Sequence, residues 1–170
     1  MTDQTDRPGL KRLLACLLYE CLLMTALLLT TSALFTVPMV KLGQPAWLRA
    51  LEQLTLLAVL FAYFGLSWVR GGQTVAMKAW RLQVTRADGE ALGWRLAIFR
   101  FAVALILIVG VPIAAYLGMG GGNPHTARLA LLWCAVPFVW RWFDPQGQTL
   151  HDRLCGTRLR VKPRRAIPGA

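Results

Sequence analysis

Apolar residues fall into four long runs along this chain, approximately 13–37, 48–69, 97–117 and 127–143, separated by shorter polar connections. About 20 apolar residues cover a bilayer's hydrocarbon core at about 1.5 Å rise per residue. The pattern therefore predicts an all-α membrane protein of four transmembrane helices, organised as a single domain over 1–170. A loop at 70–96 and a tail at 144–170 carry most of the polar sequence. Pro112 and Pro137 interrupt the third and fourth runs, and the fourth is also the shortest. Proline removes a helix N–H, so both sites should kink, with neighbouring helices satisfying the freed carbonyls. The first run is too long for a secretory signal and no small-x-small cleavage site follows it, so it is expected to span.

One residue breaks the first run. Glu20 lies in a stretch from Leu13 to Val37 that holds no other charge. A charge at that depth costs at least about 2.5 kcal/mol unless it finds a partner or water. Arg12, Cys16 and Glu20 are spaced by four and share one helix face, with Glu20 about 10 Å inside Leu13. Two readings stay open. Glu20 could form a buried ion pair with Arg100, the charge inside the third run, and so fix how helices pack. Alternatively it is a proton or cation site, because desolvation favours the protonated form of a carboxylate. Arg49 and Glu52, three apart near the outer end of the second run, read as a surface pair.

The net charge of +11 changes the picture through its distribution. Of 19 Lys and Arg, all but Lys41, Arg49 and Arg128 lie before the first run (Arg7, Lys11, Arg12), around the central loop, or in and after the end of the fourth run. This asymmetry predicts that both termini and the central loop are cytoplasmic. It points to anionic lipid headgroups as partners and not to nucleic acid. Most of the seven tryptophans fall near run ends, where they anchor helices at the interface. Four cysteines form no C-x-x-C pair, and no second histidine is placed beside His151, so neither metal nor cofactor is implied. Gly118–Gly122 with Asn123-Pro124 lacks the Lys-Ser/Thr end of a phosphate loop and reads as an outward connection. No nucleophile or metal constellation supports an enzyme.

A repeat is visible in the polar segments. Gly72-Gln73-Thr74 follows the second run and Gly147-Gln148-Thr149 the fourth; each leads on to an Arg-Leu-x-Val tetrapeptide, at Arg81–Val84 and Arg158–Val161. This predicts a tandem two-helix repeat whose halves share orientation. Each glycine should turn the chain and each threonine should cap a short amphipathic helix at the cytoplasmic face. Thr149 and Asp152 have capping-box spacing, whereas Met77 occupies the matching place after Thr74. The Arg-Leu-x-Val pieces are expected to pair as strands, and Ala87-Asp88-Gly89-Glu90 to form a turn.

Arginine at the mouth of the first helix, Tyr19-Glu20 within it, Gly72-Gln73-Thr74, and the tail Gly147-Gln148-Thr149-Leu150-His151-Asp152-Arg153-Leu154-Cys155-Gly156-Thr157 together resemble the RDD family of bacterial membrane proteins. That family is named for one arginine and two aspartates, and the resemblance covers nearly the whole chain. Arg12 matches the arginine and Asp152 the second aspartate. Glu20 stands where the family has its first aspartate, one methylene longer, which disfavours roles needing tight carboxylate geometry. The resemblance implies a bacterial plasma (inner) membrane protein; cation–proton antiport is proposed for some members. The expected site is a polar cluster of Arg12, Glu20 and Asp152 near the cytoplasmic leaflet, with Arg100, Gln73, Thr74, Gln148, Thr149 and His151 as secondary members. The expected function is a proton- or cation-coupled transporter, or a subunit of one acting as a homo-oligomer or with a membrane partner. The alternative is a non-catalytic scaffold whose cluster locks helix packing.

Overall fold

A computed structural model of the chain describes residues 8–120 and 124–162. Arg7, Arg164, Arg165 and residues 121–123 of the glycine-rich connection lie outside them. The chain divides into two compact units, one built on residues 8–83 and the other on 84–160.

In the first unit, α1 (Leu10–Leu42) and α2 (Ala46–Gly71) form a hairpin. Leucine-rich sequence gives both helices, and glycine ends them. Gly43 and Gly72 take left-handed conformations (φ 68° and 65°) that only glycine adopts without strain. Pairing between the helices is antiparallel, since Glu20 meets Tyr63 and Ser32 meets Glu52. The latter bond overturns the expected Arg49–Glu52 pair. Arg49 instead donates to the Gln44 carbonyl (2.9 and 3.1 Å), closing the hairpin loop, and Glu52 turns inward to the Ser32 hydroxyl. A short helix, α3 (Val75–Ala79), packs on α1.

The second unit starts its apolar part with α4 (Trp94–Leu105), a π-helical turn at Ile106–Gly110, and α5 (Val111–Gly118). Pro112 supplies the cause. It has no N–H for the Ile108 carbonyl four residues back. Cys134 donates its thiol to that carbonyl (Sγ–O 3.4 Å), and Trp133 Nε1 takes the adjacent Leu107 carbonyl at 3.1 Å. Both donors come from the end of α6 (Pro124–Trp133) and just beyond it, which packs on α5. The freed carbonyls thus find partners on a neighbouring helix, as membrane burial demands.

Three helices are long and apolar enough to cross a membrane: Leu10–Leu42, Ala46–Gly71 and Trp94–Gly118. The fourth apolar run is not one helix. It forms α6, then α7 (Val136–Val139), then a 3₁₀ turn at Trp140–Trp142. Pro137 cannot donate to the Trp133 carbonyl, and α6 stops at that residue.

The polar segments form α8 (Leu150–Leu154) and two strands, β1 (Leu82–Arg86) and β2 (Thr157–Val161). The strands pair. Lys162 N to Arg81 O (2.8 Å) and Ala87 N to Gly156 O (2.9 Å) bracket the ladder and make it antiparallel. The strand pairing expected from the repeat is present. Its internal alignment differs, however. The two segments correspond at a constant offset of 75: left-handed Gly72 and Gly147, helices from Val75 and Leu150, left-handed Arg81 and Gly156, strands from Leu82 and Thr157. Arg-Leu-x-Val matches at an offset of 77 instead, so those tetrapeptides occupy unequal places in their strands.

Candidate functional site

Two polar clusters lie among the helices, each within one unit. In the first, α1 carries Glu20 and α2 carries Tyr63, whose hydroxyl donates to Oε1 at 2.8 Å. The other oxygen, Oε2, accepts from the Thr74 hydroxyl at 2.5 Å. Thr74 reaches it because Gly72 turns the chain at the end of α2. Gln73 then anchors the turn, donating from Nε2 to the Leu82 carbonyl (2.6 Å) and accepting from Lys162 Nζ (3.3 Å). Fully buried, Thr74 also caps α3 by accepting from Met77 N at 3.2 Å.

In the second cluster Arg100 of α4 forms an ion pair with Asp152 of α8, and both side chains are almost completely buried. The Thr157 hydroxyl, at 3.1 Å, shares Asp152 Oδ1 with Arg100, and Arg100 also donates to that hydroxyl. Thr149 donates to Oδ2 at 2.6 Å. This use of Thr149 reverses the expected cap. Its hydroxyl makes no bond to the helix N–H groups. His151 approaches the same hydroxyl through Nε2 (3.2 Å) and stands edge-on to Phe138 at 5.9 Å.

Electrostatics separate the residues of this cluster. Burial opposes charge on Asp152, but Arg100, His151 and Thr149 outweigh it and hold the carboxyl at about 2. Burial acts on His151 too, pushing the imidazole down to about 4 against the pull of Asp152, so it is neutral at pH 7. Asp152 is therefore a fixed anion.

The secondary candidates divide accordingly. Thr74 joins Glu20, while Arg100, Thr149 and His151 join Asp152. Gln148 belongs to neither group, donating its backbone N–H to Asp144 Oδ2 at 2.8 Å. Arg12 is exposed on α1 and takes part in none of these bonds. Arg100, read from the sequence as a partner for Glu20, takes Asp152. Two members were missed by pattern reading. Tyr63 is a lone polar tip in an apolar run, and Thr157 reads as an ordinary strand residue. Asp144, buried in the loop before α8, was missed too; it pairs with Arg153 of α8, whose side chain is half-exposed. Among the described residues no group of three or more His, Cys, Asp or Glu is placed to hold a metal ion.

Comparison with protein families finds a match to the RDD family model over residues 8–156. The chain belongs to the RDD family. The matched span runs to the glycine that precedes β2, and takes in the first polar cluster and all of the second but Thr157. No curated protein matches, and no solved structure matches. With its apolar helices, membership in the RDD family makes this a membrane protein.

Proposed function

We propose that this RDD protein is a proton- or cation-coupled transporter of the bacterial plasma membrane, or a subunit of one, with Glu20 as its exchange site. The observation that carries this reading is the chemistry of the Glu20 partners, two hydroxyl groups. A hydroxyl both donates and accepts, whereas a guanidinium only donates. Tyr63 and Thr74 can therefore satisfy Glu20 as a carboxylate or, by rotating, as a carboxylic acid. The site stays satisfied through a protonation cycle, and exchange for a cation adds no unsatisfied group. Asp152, held by Arg100, lacks that freedom and serves to fix α8 against α4.

In this reading the broken segment of α6 and α7 makes a fourth crossing, and the two units descend from a two-helix repeat. Both termini face the cytoplasm, where basic residues concentrate. So few crossings favour a homo-oligomer, or assembly with another membrane protein, around the pathway.

Reconstituted vesicles test it. The wild-type chain should drive a cation flux that depends on the pH gradient, and Glu20→Gln should abolish it while circular dichroism stays unchanged. A second reading, a non-catalytic scaffold, draws on the buried Arg100–Asp152 pair. It requires wild-type vesicles without flux and a Glu20→Gln variant that is merely less stable.

A further inference from the structure

Outside both clusters, a cavity of about 320 Å3 opens in the second unit beside the loop that precedes α8. Pro145, Gln146, Gln148, Arg153, Gly156 and Arg158 line it. The acceptors nearest its two arginines, on Asp144 and Gln146, are already committed. Buried Asp144 takes Arg153 on Oδ1 and the N–H groups of Gln146 (3.1 Å) and Gln148 (2.8 Å) on Oδ2. Gln146 Oε1 takes Gln148 Nε2 and Arg158 Nη2, each at 3.1 Å.

Its arginine donors are committed only in part. Each guanidinium carries five N–H donors. Arg153 uses Nη1 on Asp144, and its side chain is 55% exposed. Arg158 uses Nη2 on Gln146, while its Nε is buried without an acceptor among the described residues. A cavity lined by two arginines rich in spare N–H groups suits an oxyanion with several acceptor oxygens.

The neighbouring sequence suggests where that oxyanion comes from. Trp142 and Phe143, immediately before Asp144, are 67% and 77% exposed. Large exposed aromatics of this kind are the side chains that sit at headgroup level in a bilayer. We propose that this cavity binds a phosphate-type oxyanion, supplied by the headgroup of an anionic phospholipid. The site rests on the membrane-surface placement of Trp140–Phe143 and is independent of whether Glu20 exchanges protons.

Purified full-length chain in a neutral detergent is titrated with short-chain phosphatidylglycerol, short-chain phosphatidylcholine or inorganic phosphate, with thermal stability as the readout. Phosphatidylglycerol should bind saturably and more tightly than phosphatidylcholine. Arg158→Gln should weaken it about tenfold, the loss expected for one charge-assisted hydrogen-bond donor. Arg158→Lys, which keeps the charge, should recover part of that loss and controls for folding. Inorganic phosphate that binds as tightly as the lipid would keep the oxyanion chemistry but overturn the lipid as its source. Equal binding of both lipids, or an Arg158→Gln variant that binds like the wild type and folds, would overturn the site. None of these readouts involves flux, so a failed transport assay leaves the result intact.

Discussion

Asp152 and Glu20 are both acids set against apolar helices, and their partners give them opposite characters. Asp152 faces a guanidinium and two hydroxyls in a pocket closed to water. Removing the partner of a buried charge leaves that charge uncompensated, at about 3–5 kcal/mol. Arg100→Ala should therefore lose about that much in denaturant unfolding. Replacing both members, Arg100→Met with Asp152→Leu, should recover most of it, because the desolvation penalty disappears along with the pair. The same groups set the response to acid. The folded Asp152 carboxyl lies at about 2, below its unfolded value, so its contribution is full above about 4 and is lost as pH falls toward 2. His151 is held neutral down to about 4, so between pH 6.5 and 4 the unfolded chain binds a proton that the folded chain refuses. Stability should decline in two stages on acidification, the first below about pH 6.5. His151→Phe should erase the first stage and leave the second, as followed by thermal melts across pH.

At the scale of elements, α3 and α8 show how one motif yields two local solutions. Thr74 caps its helix and holds an acid that arrives from α1. Thr149 makes no cap and holds an acid on its own helix, Asp152, at the position where α3 has Met77. Thr74→Val should remove a cap and a hydrogen bond together, destabilising by about 2 kcal/mol, whereas Thr74→Ser should stay near wild type. Urea unfolding of the two variants in parallel separates these outcomes. Glycine, glutamine and threonine were readable as a turn and helix start because their conformational roles are local. The two-residue shift of Arg-Leu-x-Val was not readable, because strand register depends on where the partner strand's bonds fall. Pro112 was legible as a disruption. The π-helical turn that absorbs it, and the donation from Cys134 and Trp133, depend on a helix some 25 residues away.

For the whole molecule, hydropathy was enough to place within a few residues the three helices long and apolar enough to cross a membrane, since length and apolarity are additive along the chain. Pro137 was legible as a kink in the fourth run, but not as the full break between α6 and α7, which a window average does not register. Helix spacing and the family pattern gathered Arg12, Glu20 and Asp152 into one expected site, whereas hydroxyl partners drawn from α2 and the turn after it satisfy Glu20. Topology gives a direct check on the proposed fourth crossing. In a cysteine-free background, single cysteines at Gly9 and Glu90 should be labelled only from the cytoplasmic side. One at Gln44 should be labelled from outside, and one at Arg160 from the cytoplasm if four crossings are made. Finally, Arg81 holds a left-handed conformation (φ 55°), and 75 residues on Gly156 holds the same one (φ 61°). A non-glycine residue there carries about 1–2 kcal/mol of strain, partly offset by glycine's greater unfolded-state entropy of about 0.5–1 kcal/mol. The chain thus contains a template for its own repair: Arg81→Gly should hold or raise the melting temperature despite losing the Arg81 bond to the Lys162 carbonyl.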